Sequence, residues 1–299
     1  MLLLGTKTHL EDLDRQFTIA EDVSVTAIAI GAGSGVRGAH VLLDEHRVAR
    51  VDEYELAPVA RVELGEAQSM AAVDDGLLVG LAAARLARLD FSRSDVSAVE
   101  SFDAVPGRAT WENPAAASPD LRSIAVTDSG TWLVNVHVGG VWRSADQGAT
   151  WTNVIPPDDD VHEVAPGRAG VVVAAAARGF GWSLDDGTTW QWTTEGLRSD
   201  YCRAVAVDGD LAYVTSSTGP STRDGRLYRA ARLGEPFEQC RGGLPESFSF
   251  NLDTGSLAAR EGEVAVGTPD GQVWRSSDRA DTFETVTERV GRVQVLRFV

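Results

Sequence analysis

Ser144-Ala145-Asp146-Gln147-Gly148-Ala149-Thr150-Trp151 and Ser183-Leu184-Asp185-Asp186-Gly187-Thr188-Thr189-Trp190 are one eight-residue turn written twice, 39 residues apart. Short Ser, Asp and Thr side chains can bond to nearby backbone groups, Gly supplies a positive φ, and the Trp is placed to pack under the turn. These tasks close a hairpin, and none of them acts on a substrate. Ser144, Asp146, Gly148, Thr150 and Trp151, with Ser183, Asp185, Gly187, Thr189 and Trp190, therefore read as structural. Ser276, Asp278 and Thr282 belong to a third, decayed copy in which Ala280 stands for Gly and Phe283 for Trp.

A fixed period signals a repeat architecture. Leu227-Tyr228-Arg229 occupies the place that Val141-Trp142-Arg143 and Val273-Trp274-Arg275 hold in their units, and Phe237 stands near where the Trp of the turn would be. Residues 124–126 and 204–207 read as first strands, with 132–136 and 211–214 as second strands. Short β-branched runs cut every 8–12 residues by Gly, Asp or Asn mark an all-β chain of antiparallel strands. The pattern Ser-x-Asp-x-Gly-x-Thr-Trp resembles the Asp-box (BNR) repeat of sialidase-like β-propellers, in repeat pattern over nearly the whole chain and in specific residues at three turns. The resemblance implies a ring of four-stranded blades and extends to halophilic β-propeller proteins.

Extending the frame outward gives units at 22–65, 66–117, 119–157, 160–198, 201–245 and 247–288, each near the blade length of about 40–45 residues. The leftover ends fit each other. Residues 2–7 read like a second strand and its turn, and residues 292–298 read like a first strand with nothing after it. Joining 291–299 to 1–20 completes a seventh blade and removes two open sheet edges. The expectation is thus a single closed seven-bladed propeller over 1–299, with a six-bladed ring as the alternative. No linker-like composition break divides the 299 residues.

The formal net charge is −17, and of 27 basic residues only Lys7 is lysine. Dense carboxylates with Arg retained suit a salt-loaded cytoplasm, where screening shortens to about 3 Å at 1 M salt. No basic stripe points to nucleic acid, and no apolar run is long enough for a membrane span. With Cys202 and Cys240 placed at opposite edges of one blade, beyond disulfide reach, the chain reads as cytoplasmic.

In Asp-box propellers the links between blades and the turns between second and third strands share one face. The frame puts Asp120, Arg122, Asp159, His162, Glu163, Tyr201, Arg203, Phe248, Asn251 and Arg292 at the links. His9, His46, His137, Arg178, Phe180 and Arg223 fall near the other turns. Arg and aromatic side chains dominate interface hot spots, so Arg122, His162, Arg178, Tyr201, Arg203, Arg223 and Arg292 are the candidates for a binding face. Sialidase chemistry has no counterpart here. No Arg-Ile-Pro stretch occurs, Tyr54 with its flanking Glu53 and Glu55 is assigned to an outer strand away from the axis, and Tyr201 has only Asp200 beside it.

The five histidines show no metal-ligand spacing. The run Asp158-Asp159-Asp160 reads as a solvated loop, and Gly31-Ala32-Gly33-Ser34-Gly35 precedes no helix that could present its N-terminus to a phosphate. No metal and no cofactor is implied. The expected function is a non-catalytic intracellular platform that docks a protein partner on its axial face, with a carbohydrate-active enzyme (glycosidase) or glycan-binding module as the alternative.

Overall fold

The structure is a computed structural model that describes residues 1–32, 37–114, 116–288 and 290–299. Of the glycine-rich stretch 31–35, residues 33–35 lie outside the described residues. Seven four-stranded antiparallel sheets make up a seven-bladed β-propeller. Their inner strands are Val293–Phe298, Val25–Ala32, Ala67–Val73, Leu121–Val126, Val161–Pro166, Tyr201–Asp208 and Leu257–Arg260, in blades 1 to 7. Each packs on the inner strand of the next blade, and the last returns to the first, so the ring is closed.

Blade 1 is built from both ends of the chain, with Val293–Phe298 as its inner strand and Leu2–Thr6 as its second. Leu2 pairs with Phe298 and Leu4 with Leu296. Val299 N–H donates to the Met1 carbonyl at 2.8 Å, and the Met1 ammonium approaches the Val299 carbonyl at 3.4 Å.

Apolar side chains on the two faces of each sheet meet those of the neighbouring sheets. Among the described residues they form seven clusters, one at each blade–blade interface. Between blades 6 and 7, Tyr213 and Leu227 pack with Phe248 and Trp274. The blade 3–4 interface holds an element the strand pattern does not announce. After its outer strand the chain makes one helical turn, Glu100–Asp103, that puts Phe102 against Trp111 and Trp151. Among the described residues, no helix is long and apolar enough to cross a membrane.

The three repeated turns join third to outer strands in blades 4, 5 and 7 with one bonding scheme. Ser Oγ donates to the Asp carboxylate and accepts the N–H four residues on, from Gly148, Gly187 and Ala280 at 2.8–2.9 Å. The same carboxylate accepts both the N–H and the hydroxyl of Thr150, Thr189 or Thr282 at 2.6–2.9 Å. Both cysteines are buried free thiols. Tyr54 differs from expectation: Glu53 and Tyr54 form the turn before the outer strand Glu55–Arg61, because the positive φ of Glu53 starts the reversal one residue earlier. Its exposed ring packs edge-on against Phe17 of blade 1 at 5.2 Å.

Candidate functional site

Six inner strands share one irregularity near their first residues; in blade 1, Gln294 is skipped between the pairs Thr6–Val293 and Gly5–Val295. In blades 2 to 5, Thr26, Gln68, Arg122 and His162 are each an extra residue skipped by the register with the second strand. In blade 6, Arg203 lies in the corresponding break between Cys202 and Val205. A bulge bends its strand and re-aims a side chain that pleating would send elsewhere. Thr26, Gln68, Arg122 and Gln294 line the axial channel, and with His162 and Arg203, at the same position of their strands, they make up a polar collar. The channel has a volume of about 600 Å³ and is lined mainly by Ala, Val and Ile of the inner strands. Four collar atoms, Thr26 Oγ1, Gln68 Oε1, His162 Nε2 and Arg203 Nε, are buried without a hydrogen-bond partner among the described residues. Such groups are uncommon in folded proteins and lose free energy until something meets them.

On the blade 4–7 side the collar grows into a connected cluster. Arg203 donates to the Tyr201 hydroxyl at 3.1 Å and to Asp253 at 2.5 Å, and Arg292 of blade 1 reaches the other Asp253 oxygen at 3.1 Å. The Tyr201 ring covers His162, with centroids 4.8 Å apart. His162 is fully buried, and its Nδ1 bonds the Cys202 carbonyl at 2.6 Å. His137, in the turn between second and third strands of blade 4, lies 6.2 Å from the His162 ring and 3.1 Å, through Nε2, from Arg122 Nη1. Asp160, between Asp159 and the inner strand of blade 5, takes a left-handed φ of 44°. Its oxygens lie 3.6 Å from His137 Nε2 and 3.4 Å from His162 Nε2.

The electrostatics follow from this packing. Burial, reinforced by the Arg122 charge, lowers the His162 pKa, so the ring is neutral at neutral pH. Burial and the nearby Arg203 cation lower the Arg122 pKa. One residue beyond His162, the buried Glu163 side chain accepts N–H bonds from Val205 and Gly255, each at 3.1 Å, and so joins blades 5, 6 and 7. Burial raises its pKa to about 7, against the pull of the Arg297 charge.

Five of the seven sequence candidates, Arg122, His162, Tyr201, Arg203 and Arg292, thus belong to this one cluster. Arg178 sits at the same end of blade 5 but is turned outward, donating to Asp159 at 3.0 Å and lying 4.8 Å over the Trp192 ring. Arg223 is exposed in the loop between residues 217 and 226. His162 differs from a surface contact, because Tyr201 seals it from solvent. The strand pattern does not single out Asp160, Asp253, Thr26 and Gln68 for the site. Asp160 reads as part of a solvated run, and only its backbone twist after Pro157–Asp159 turns the carboxylate inward.

No protein-family model and no curated protein matches the chain. Solved structures match it at the level of fold. The RRP9 WD40 repeats superpose with a TM-score of 0.64 at 10% identity, covering 100% of this chain and 89% of that one. A GH74 enzyme of Niastella koreensis gives 0.62 at 14% identity, with 94% of this chain and 46% of that chain covered. YCF48 bound to D1 peptide gives 0.59 at 15% identity, with 95% and 84% covered. The chain therefore spans less than half the length of the GH74 enzyme.

Proposed function

We propose that the end of the ring bearing the collar is a docking surface for a protein partner, and that the protein is a non-catalytic, intracellular interaction or assembly platform. The observation that carries this reading is the convergence of Arg203 and Arg292, from blades 6 and 1, on Asp253 of the link into blade 7, with Arg203 also bonded to the Tyr201 hydroxyl. Arg and Tyr at the edge of a recess form the rigid, amphipathic anchors on which interface energy concentrates. Their mutual bonds hold them in place before a partner arrives, which lowers the ordering cost of association. The YCF48 propeller bound to a peptide supports the reading by analogy of fold.

The carbohydrate-active alternative needs a pair of free carboxylates flanking a bond. Both oxygens of Glu163, the most perturbed carboxyl lining the channel, are taken by backbone N–H groups. The Asp-box resemblance bears on the frame of the ring and not on this site. The test is affinity capture from host lysate at native salt with wild type, Tyr201→Ala, Arg292→Ala and the rim control Arg61→Ala. One defined partner is expected with wild type and the control, and at least tenfold less of it with the two site variants. Equal capture by all four proteins would place the docking surface elsewhere.

A further inference from the structure

His137, Asp160 and His162 each offer a ligand atom, and the three atoms lie within 4.8 Å of one another. From these side chains we infer a binding site for a divalent cation of the zinc class, spanning blades 4 and 5 at the channel mouth. The inference does not rest on the docking reading.

The separations are those of ligands around a small cation. Metal–ligand bonds of about 2.0–2.2 Å at a tetrahedral centre leave donor atoms about 3.3–3.6 Å apart; Asp160 Oδ1 stands 3.6 Å from His137 Nε2 and Asp160 Oδ2 3.4 Å from His162 Nε2, so a turn of the carboxylate and small ring shifts bring one atom from each residue, already within 4.8 Å of the others, to those separations. The donors are also prepared. The Cys202 carbonyl can only accept, so the His162 proton sits on Nδ1, and the Nε2 lone pair is buried with no hydrogen-bond partner among the described residues. Fixing a ring through its far nitrogen is how metal-binding histidines are oriented. Behind His137, the Asp120 carboxylate stands 3.6 Å from Nδ1 and is itself held by the Asn113 amide at 2.9 Å. Asp160 Oδ1 is a second buried acceptor without a hydrogen-bond partner. Two imidazoles and one carboxylate are a donor set for Zn²⁺, Co²⁺ or Ni²⁺ rather than for Ca²⁺ or Mg²⁺, which take oxygen ligands.

Arg122 gives the site its particular character. Its guanidinium lies 3.1 Å from His137 Nε2, on the side the cation must approach. A bound cation must displace it. The side chain is then a stopper that competes with the metal for one nitrogen.

Co²⁺ reports both binding and coordination through its visible bands, so the protein is stripped with EDTA and titrated with Co²⁺ and separately with Zn²⁺. One equivalent should bind, with the strong absorption of a low-coordinate site and a rise in Tm that EDTA reverses. His137→Asn and Asp160→Asn, checked for folding by circular dichroism, should weaken binding at least tenfold, and Arg122→Ala should tighten it. Uptake seen only with Arg122→Ala would also support the site, with the guanidinium as its closed state. Uptake unchanged by His137→Asn and Asp160→Asn, or no saturable uptake by either wild type or Arg122→Ala, would overturn the inference.

Discussion

At the scale of single residues, the repeated turn shows why its letters recur. A Cβ on Gly187 would stand 2.2 Å from Leu133 Cδ2, and one on Gly148 2.7 Å from the Trp132 ring, while both backbones hold a positive φ. Ala280 adopts the same twist, with φ at 69°, and its methyl is buried in the blade 6–7 core. Gly187→Ala is thus expected to cost about 2 kcal/mol from left-handed strain and overpacking, as read by urea unfolding; a loss below about 0.5 kcal/mol would contradict this account. The carboxylates of the turn give a pH prediction. The Thr150 and Thr282 bonds lower the Asp146 and Asp278 pKa values from 3.8 to about 2. A lowered folded pKa means that their contribution is present above about pH 4 and is lost as pH falls towards 2. Side-chain carbon NMR should find both midpoints near 2, and Thr150→Val should move that of Asp146 upward; a midpoint near 3.8 in wild type would refute the bonding scheme.

Among the elements, inner strands do most to position chemistry, and here the sequence was legible in part. The third-strand motif and the alternation in 132–136 and 204–207 locate strands because side-chain type follows burial face. The links at Arg122, Tyr201, Arg203 and Arg292 follow from counting strands. The bulges do not, since an extra residue in a β-ladder has no residue-type signature, and so Thr26 and Gln68 pass unnoticed. His137 and His162 meet across two blades, at a separation that no local ligand spacing covers. The turn Glu100–Asp103 lacks the length for a helical period to show. Glu163 illustrates what an inner strand can hold together. Glu163→Ala would leave the Val205 and Gly255 N–H groups without their acceptor and remove the countercharge of the buried Arg297. A loss of about 3 kcal/mol is expected, with Glu163→Gln milder; a loss under about 1 kcal/mol in chemical denaturation would show the joint to be dispensable.

For the whole molecule, closure and charge set the behaviour. A net charge of −17 repels itself across the ring, and surface Arg–Asp pairs return little of that energy. Raising KCl from 0.1 to 1 M shortens screening from about 10 to 3 Å, so Tm should rise across that range; an unchanged Tm would mean that repulsion does not limit stability. Each blade interface is a separate apolar cluster, and the ring remains complete only while Val293–Phe298 lies between Leu2–Thr6 and the inner strands of blades 2 and 7. That arrangement bears on synthesis. Leu2–Thr6 is translated before the six other blades, whereas the strand it needs along one edge is translated only after them. The nascent chain must therefore carry an unpaired β-edge until Val293–Phe298 has been made. Ring closure thus waits for the last strand of the propeller, with the slow, long-range pairing step placed last.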